Sequence, residues 1–342
     1  MTADSTHRAR WPSRVLWLAL AGLAGLTALA ATAPWWWLGE VACSFRWQLG
    51  WACAALALAL TCVARLSHGV ARLSHDAAPQ VRRWLAAALA LLALYHLAPQ
   101  LALWWPTAHE PRAGREFTVA SANLFIASTD TSGFVEWVRA TQPDVLGVTE
   151  VNSTWRAVCE QLADLYPVRL YHPQDAGIVT AGTYGTGLLS RLPLSSSTVH
   201  EHGNLGGFVE AELVLDGAPL HVVMLHPNRP GRGGKWERRE ALLERVLGDV
   251  VYREHSVLMG DFNTTSYSPR FGAILERTRL SDSRAGFGRQ PTFDTKRIVP
   301  GLSVDIDHVL VGASIDVLER RAVAVRGSDH RYVEARLSLA TR

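Results

Sequence analysis

Apolar runs short enough to be strands repeatedly end in residues that can do chemistry. Asp144-Val-Leu-Gly-Val-Thr stops at Glu150, His221-Val-Val-Met-Leu at His226, and Ser256-Val-Leu-Met-Gly at Asp261, followed by Phe262-Asn263. An earlier run passes through Ala122-Asn123, a later one reads Asp305-Ile-Asp307-His308-Val-Leu, and Ser328-Asp329-His330 stands near the end. Taken singly these are weak, because an Asp after a strand is commonly a turn or a cap and a His there a satisfied surface group. Together they suggest strand ends gathered around one polar site.

The donor types narrow the chemistry. Carboxylates, two His and two Asn suit Mg²⁺ or Mn²⁺ with a phosphate ester, since Mg²⁺ binds through one or two carboxylates plus substrate oxygens. Phosphate esters repel nucleophiles, so a cation and fixed donors must offset the charge that develops. In-line attack by water also needs a base on the nucleophile side and a cation or acid on the leaving-group side. A structural Zn²⁺ site calls for Cys or closely spaced His, and the strand-end set offers neither. No Walker-type or Gly-x-Gly-x-x-Gly loop and no Gly-x-Ser-x-Gly elbow occurs. Asp261-Phe-Asn263 repeats part of a Ca²⁺ loop that nothing downstream completes.

In order, Ser121-Ala-Asn123, Pro143 to Glu150, Gly185 to Pro193, Leu225-His226, Gly260-Asp-Phe-Asn263, Ile306-Asp307-His308 and Ser328-Asp329-His330 resemble the endonuclease/exonuclease/phosphatase superfamily. The resemblance spans about 117 to 340 and implies a four-layer α/β/β/α sandwich with the site at one edge of the packed sheets. It implies that Glu150 is the metal-binding carboxylate, with Asn123 and Asp329 near the same ion. It further implies that Asp261 orients or deprotonates water and Asn263 hydrogen-bonds the phosphate. The resemblance also implies that His330 and Asp307 form a His–carboxylate pair and that His226 is a second catalytic His, which protonates the leaving oxygen or donates to the phosphate. One departure is Phe125, where some members carry a second acid, which shifts metal binding onto Glu150. Asp305 is expected at the solvent, with a second metal contact as the alternative. Arg229, Arg232 and Lys235, with Arg238 and Arg239, follow His226; they either hold substrate phosphates or begin a solvated helix.

The elements that must position these residues occupy residues 111–342. Alternating or short apolar runs predict strands at Phe117–Phe125, Val145–Thr149, Gly187–Ser190, Phe208–Leu215, His221–Leu225, Val257–Met259 and Val309–Val311. Helices are expected at Phe134–Ala140 and Trp236–Val251, giving an α/β domain.

Residues 1–110 are of another kind. The whole chain has 342 residues, 48% of them hydrophobic, and a formal charge of +3. Residues 1–110 hold four acids against eight Arg, so the positive charge belongs there and does not mark a nucleic-acid surface on the rest. Val15–Ala33, Trp47–Val63 and Trp84–Trp105 lack charge and reach roughly 28, 26 and 33 Å as helices, against about 30 Å of hydrocarbon. Seven Trp gather at their ends, as membrane interfaces favour. Three transmembrane helices are therefore expected, with Pro34 to Arg46 a loop. Pro34 after Ala31-Thr32-Ala33 argues against signal cleavage. Arg8, Arg10 and Arg14, then Arg65, Arg72, Arg82 and Arg83, place the N-terminus and second loop in the cytoplasm. Three crossings put residues 111–342 on the extracytoplasmic side of the inner membrane. Losing the second span would reverse that. His96 and Gln100 share a face of the third span and either pack inside the bundle or mark a pathway.

The expected function is a divalent-metal-dependent phosphoesterase, its substrate (nucleic acid, phospholipid or small molecule) undecided. A catalytically degenerate phosphate- or lipid-binding protein of the same fold is the alternative. The near-neutral charge of residues 111–342 disfavours avid polyanion binding.

Overall fold

The computed structural model describes residues 5–71, 78–105, 112–175, 185–294 and 302–341. Arg72 and the linker residues 106–111 lie outside the described residues. The chain divides into two units, Met1–Leu101 and Ala102–Arg342.

The first unit holds α1 (Ser5–Ala31), α2 (Trp37–Ser44), α3 (Arg46–Ala71) and α4 (Ala78–Leu101). Three windows are long and apolar enough to cross a membrane: Arg14–Ala31, Arg46–Arg65 and Gln80–Trp104, with mean hydropathies of 1.7, 1.6 and 1.6. The helices α1, α3 and α4 overrun the expected apolar spans at one or both ends, because backbone hydrogen bonding continues where the side chains turn polar. The expected loop from Pro34 to Arg46 instead contains α2, which buries Glu40 and Cys43. Cys53, Ala57 and Leu60 of α3 pack on Ala86, Leu89 and Ala93 of α4. Leu18, Leu58, Leu91 and Trp84 stay exposed, an apolar surface unsuited to water. His96 and Gln100 are buried, and His96 lies between Thr27 Oγ1 at 3.1 Å and Arg46 Nε at 3.3 Å, as the packing alternative expects.

The second unit is built on two six-stranded sheets. Its strands are β1 (Gly114–Asn123), β2 (Val145–Val151), β3 (Val168–His172), β4 (Gly185–Ser190), β5 (Leu194–Glu201), β6 (Gly207–Leu215) and β7 (Ala218–Leu225). They continue as β8 (Ser256–Asp261), β9 (Ser281–Asp282), β10 (Phe293–Asp294), β11 (Ser303–Val304), β12 (Asp307–Val311), β13 (Ile315–Ala324) and β14 (Arg331–Ala340). The orders are β13-β14-β1-β2-β4-β3 and β5-β6-β7-β8-β12-β9, with β10 and β11 as a separate ribbon. Between the sheets lie Val119, Val145, Leu188, Met224, Met259, Val309, Val333 and Leu337. Gly147 is one place where the sheets approach closely, for a Cβ there would sit 2.3 Å from Met224 Sδ.

Helices cover both outer faces. Phe134 and Val138 of α5 (Ser132–Thr141) and Trp155 and Val158 of α6 (Ser153–Glu160) seal the first sheet. Leu242, Leu243 and Val246 of α7 (Lys235–Asp249) and Phe271 and Ile274 of α8 (Pro269–Thr278) seal the second. The result is the expected α/β/β/α sandwich.

Two crossovers explain why the polar strand ends gather. The α5 connection makes β1 and β2 parallel, and the α7 connection makes β7 and β8 parallel. The C-terminal ends of each pair therefore share an edge. Antiparallel pairing brings the start of β12 beside the end of β8, with Asp307 opposite Asp261. It also brings the start of β14 beside the end of β1, with Val333 opposite Ser121.

Candidate active site

Each element delivers its polar residue by a local departure from regular geometry. The β2–β4 register shifts between Thr149 and Val151, and Glu150 at that bulge has φ +60°. Such a bulge re-aims one side chain. Glu150 Oε2 accepts the Ile126 N–H at 2.7 Å, and its Oε1 lies 3.3 Å from Asn123 Nδ2. At the end of β8, Gly260 has φ +143° and lies so close to Leu225 that a Cβ would meet the carbonyl oxygen at 1.9 Å. Only glycine permits that approach, which sets the following Asp261 into the site. Asp261 Oδ1 then accepts the Asn263 N–H at 2.8 Å, a local turn that holds Asn263 at φ +50°.

The carboxylate of Asp261 is the hub. Its Oδ2 accepts from Asn123 Nδ2 at 3.0 Å and lies 3.7 Å from His226 Nε2 and 3.9 Å from His330 Nε2. His330 Nδ1 meets Asp307 Oδ2 at 2.8 Å, its backbone N–H donates to Ser328 Oγ, and its ring lies 4.8 Å from that of Phe293. Ser328 Oγ in turn donates to the Asn123 carbonyl at 2.7 Å, tying the two chain termini of the domain together at the site. Asn263 donates its side-chain amide to the Pro227 carbonyl at 3.0 Å, which anchors the segment after His226. Asp261, Asp307, His226 and His330 are all buried.

Burial and charge set the protonation states. Burial pushes Asp261 up to about 8, and the neighbouring Asp307 adds to that, with the His330 cation opposing. Burial alone would lower His330, yet the Asp307 carboxylate overrides it and raises the imidazole to about 10. His226 is lowered to about 4 by burial, with the His330 cation adding to it and the charges of Glu150 and Asp307 opposing. The site therefore holds one charged and one neutral imidazole at neutral pH.

A divalent cation fits this donor set. Glu150, Asp261 and Asp307 present three acids against one imidazolium, and Asp307 Oδ1 is buried with no hydrogen bond. Asp261, Asp307 and His330 form the tighter group, with one donor atom of each within 4.8 Å of the others. The protonated His330 offsets one of the two carboxylates of that trio, and Glu150 adds a further acid beside it through Asn123. Asn123 turns its NH₂ to Glu150 and Asp261, while its oxygen accepts the Phe125 N–H at 2.9 Å. In this orientation it braces the two carboxylates. Asp329 is half-buried between Ser328 and His330, and its charge helps hold the His330 proton.

The remaining expected residues are placed differently. Arg229 and Arg232 are exposed in the segment between His226 and α7, and half-buried Lys235 is the first residue of α7. Arg239 is fully buried and paired with Glu240, so it belongs to the helix packing and not to a solvated basic surface. Asp305 corrects the expectation of solvent exposure. It is buried, with the Arg284 guanidinium against it and Ser266 Oγ at 3.1 Å. Arg284 also holds Asp282 at 2.6 Å. Thr292, absent from the sequence-derived set, receives the N–H groups of Ile306 at 3.2 Å and Asp307 at 3.1 Å on its Oγ1. Its only sequence signal is a position 15 residues before Asp307 in a stretch without periodicity.

Comparison with known proteins agrees with this geometry. No curated protein sequence matches the chain. D. rerio TDP2 humanized by 14 mutations superposes with a TM-score of 0.52 at 16% identity, covering 65% of this chain and 99% of that one. An endonuclease/exonuclease/phosphatase from Beutenbergia cavernae gives 0.53 at 22% identity, covering 66% and 72%. The human nocturnin catalytic domain, solved with a bound sulfate anion, gives 0.51 at 16%, covering 67% and 97%. At these identities the likeness is one of fold. The family model described as the Endonuclease/Exonuclease/phosphatase family matches residues 120–330, from the strand before Asn123 through His330, and the chain belongs to that family.

Proposed function

We propose that this protein is a divalent-metal-dependent phosphoesterase, hydrolysing a phosphodiester or phosphomonoester by in-line attack of water. The observation that carries the reading is the convergence on Asp261 of Asn123, His226 and His330 within 3.0 to 3.9 Å, from four separate segments. Members of the family are hydrolases of phosphoester bonds, which supports the class of reaction.

Glu150 would hold Mg²⁺ or Mn²⁺, with Asn123 bracing that carboxylate and Asp329 near the same ion, and the bound ion would draw negative charge from the phosphoryl oxygens. Asp261 orients the attacking water and in its ionised form accepts the proton, its acidity shifted by burial to about 8. His330, kept cationic by Asp307, faces the phosphoryl group as a fixed positive charge. His226, kept neutral by burial, donates an N–H hydrogen bond to the phosphate in preference to a proton. Asn263 has a second amide hydrogen for the phosphate after serving Pro227. Arg229, Arg232 and Lys235 follow His226 in the chain and would meet further substrate charge. The three apolar helices would hold the enzyme in the inner membrane, with the catalytic domain on the extracytoplasmic side.

The test is hydrolysis by the full-length protein in detergent against DNA, RNA, phospholipids and nucleotides. Asp261→Ala and His330→Ala should each lower turnover by at least 10²–10³-fold with circular dichroism unchanged. Retained turnover in either variant removes that residue from the mechanism, and turnover unaffected by EDTA removes the metal.

A further inference from the structure

A second donor cluster lies on the outer face of the second sheet, where β5 meets the C-terminal end of α7. One ring nitrogen each from His200 and His202 and a carboxylate oxygen of Asp249 all lie within 4.8 Å of one another. Three pieces of backbone supply them. His200 is on edge strand β5, His202 precedes the short turn Gly203–Leu205, and Asp249 is the last residue of α7. His200 and His202, two apart in sequence, are the closely spaced pair that the strand-end set lacks.

The rings are held in place before any ion arrives. His200 stacks on Phe208 with centroids 4.1 Å apart and planes 16° from parallel, and its Nε2 lies 2.7 Å from Glu210 Oε2. His202 sits 5.8 Å from the same Phe208, its plane 21° from that of His200. The Nε2 of His202 is shielded from solvent and makes no hydrogen bond, although Asp249 Oδ2 is 3.4 Å away. A shielded polar atom facing a carboxylate without hydrogen-bond geometry is costly unless something lies between them.

We propose that His200, His202 and Asp249 bind one transition-metal cation of the Zn²⁺ class, clamping edge strand β5 to α7. Two imidazoles and a carboxylate suit Zn²⁺, whereas Mg²⁺ prefers oxygen alone. Donors on one tetrahedral Zn²⁺ stand roughly 3.3 Å apart, so closing from the present spacing takes small side-chain rotations. Glu210 supplies the carboxylate that typically orients a metal-bound His. Strand β5 is two strands from β7, roughly 10 Å, and none of these residues is hydrogen-bonded to the candidate catalytic residues among the described residues.

The experiment is equilibrium dialysis of the full-length, metal-stripped protein in detergent against Zn²⁺ with Mg²⁺ in excess. Wild type should retain one more Zn²⁺ per chain than His200→Ala/His202→Ala, and Asp249→Asn should bind that ion at least tenfold more weakly. Asp261→Ala should keep it, which separates this site from the candidate active site. Saturating Zn²⁺ should raise the Tm of wild type by about 5 °C and leave the double variant unmoved. Equal Zn²⁺ stoichiometry in wild type and the double variant overturns the proposal. If the double variant does not fold, Asp249→Asn decides alone: its side chain is 32% exposed and, among the described residues, ion-paired with His202 alone. Unchanged Zn²⁺ affinity in that variant overturns the proposal.

Discussion

A buried imidazole keeps its proton at neutral pH only if an anion sits against it. For His330 that anion is Asp307, 2.8 Å from Nδ1, and the resulting value of about 10 lies above the ordinary 6.5. The pair therefore adds stability that is fully present below pH 6.5 and is lost as pH rises through about 10. Asp307→Asn removes the largest of the raising charges and leaves only Asp261 and Asp329 against burial, so the His330 value should fall well below about 10. Nitrogen chemical shifts of the ring would report this directly, and hydrolysis at pH 7 should fall about 10²-fold or more. A ring still protonated at pH 9 in that variant would show another anion holding it. These residues were legible because Gly260 to Asn263 and Ser328 to His330 carry their context in adjacent positions. Asp305 was not, since what buries it is Arg284, 21 residues away on a segment with no periodicity to mark it.

At the scale of elements, Arg284 is the tie between the end of β9 and the entry to β12. It is fully buried and bonded to both Asp282 and Asp305. Burial alone would raise Asp282, but the guanidinium overrides it and holds the carboxyl at about 2. That contribution is present above the ordinary value of 3.8 and is lost as pH falls through about 2. Arg284→Met strands the buried Asp305 and the half-buried Asp282 and should cost about 3–5 kcal/mol in urea unfolding. It should also move acid unfolding to higher pH, because Asp282 would then titrate above its ordinary value. A loss under 1 kcal/mol would mean water already reaches the pair. The central strands β1, β2, β7, β8 and β12 were readable because burial on both faces or alternation writes an apolar pattern. The edge strands β5 and β13 were not: β5 reads Leu194-Ser-Ser-Ser-Thr-Val-His-Glu201 and is mostly exposed, so no pattern records its pairing with β6. The α2 helix escaped for the opposite reason, being short and embedded in a Trp-rich stretch that reads as a membrane interface.

For the molecule as a whole, the number of crossings decides the side on which chemistry occurs. Three helices have the length and apolarity to cross, including Arg46–Arg65, the window on which the count turns. Arg14 at the start of the first window, Arg65 at the end of the second, and Arg82 and Arg83 near the start of the third favour a cytoplasmic side for those ends. With three crossings, an alkaline phosphatase fused after Arg342 should be active and a fluorescent protein fused there dark. Deleting residues 46–71 removes one crossing while leaving Arg8, Arg10 and Arg14 ahead of the first helix. The two reporters should then exchange behaviour. An unchanged pair of signals after the deletion would mean that α3 does not span. The intact chain separates the cases independently, because a dark phosphatase fusion at Arg342 already requires an even number of crossings.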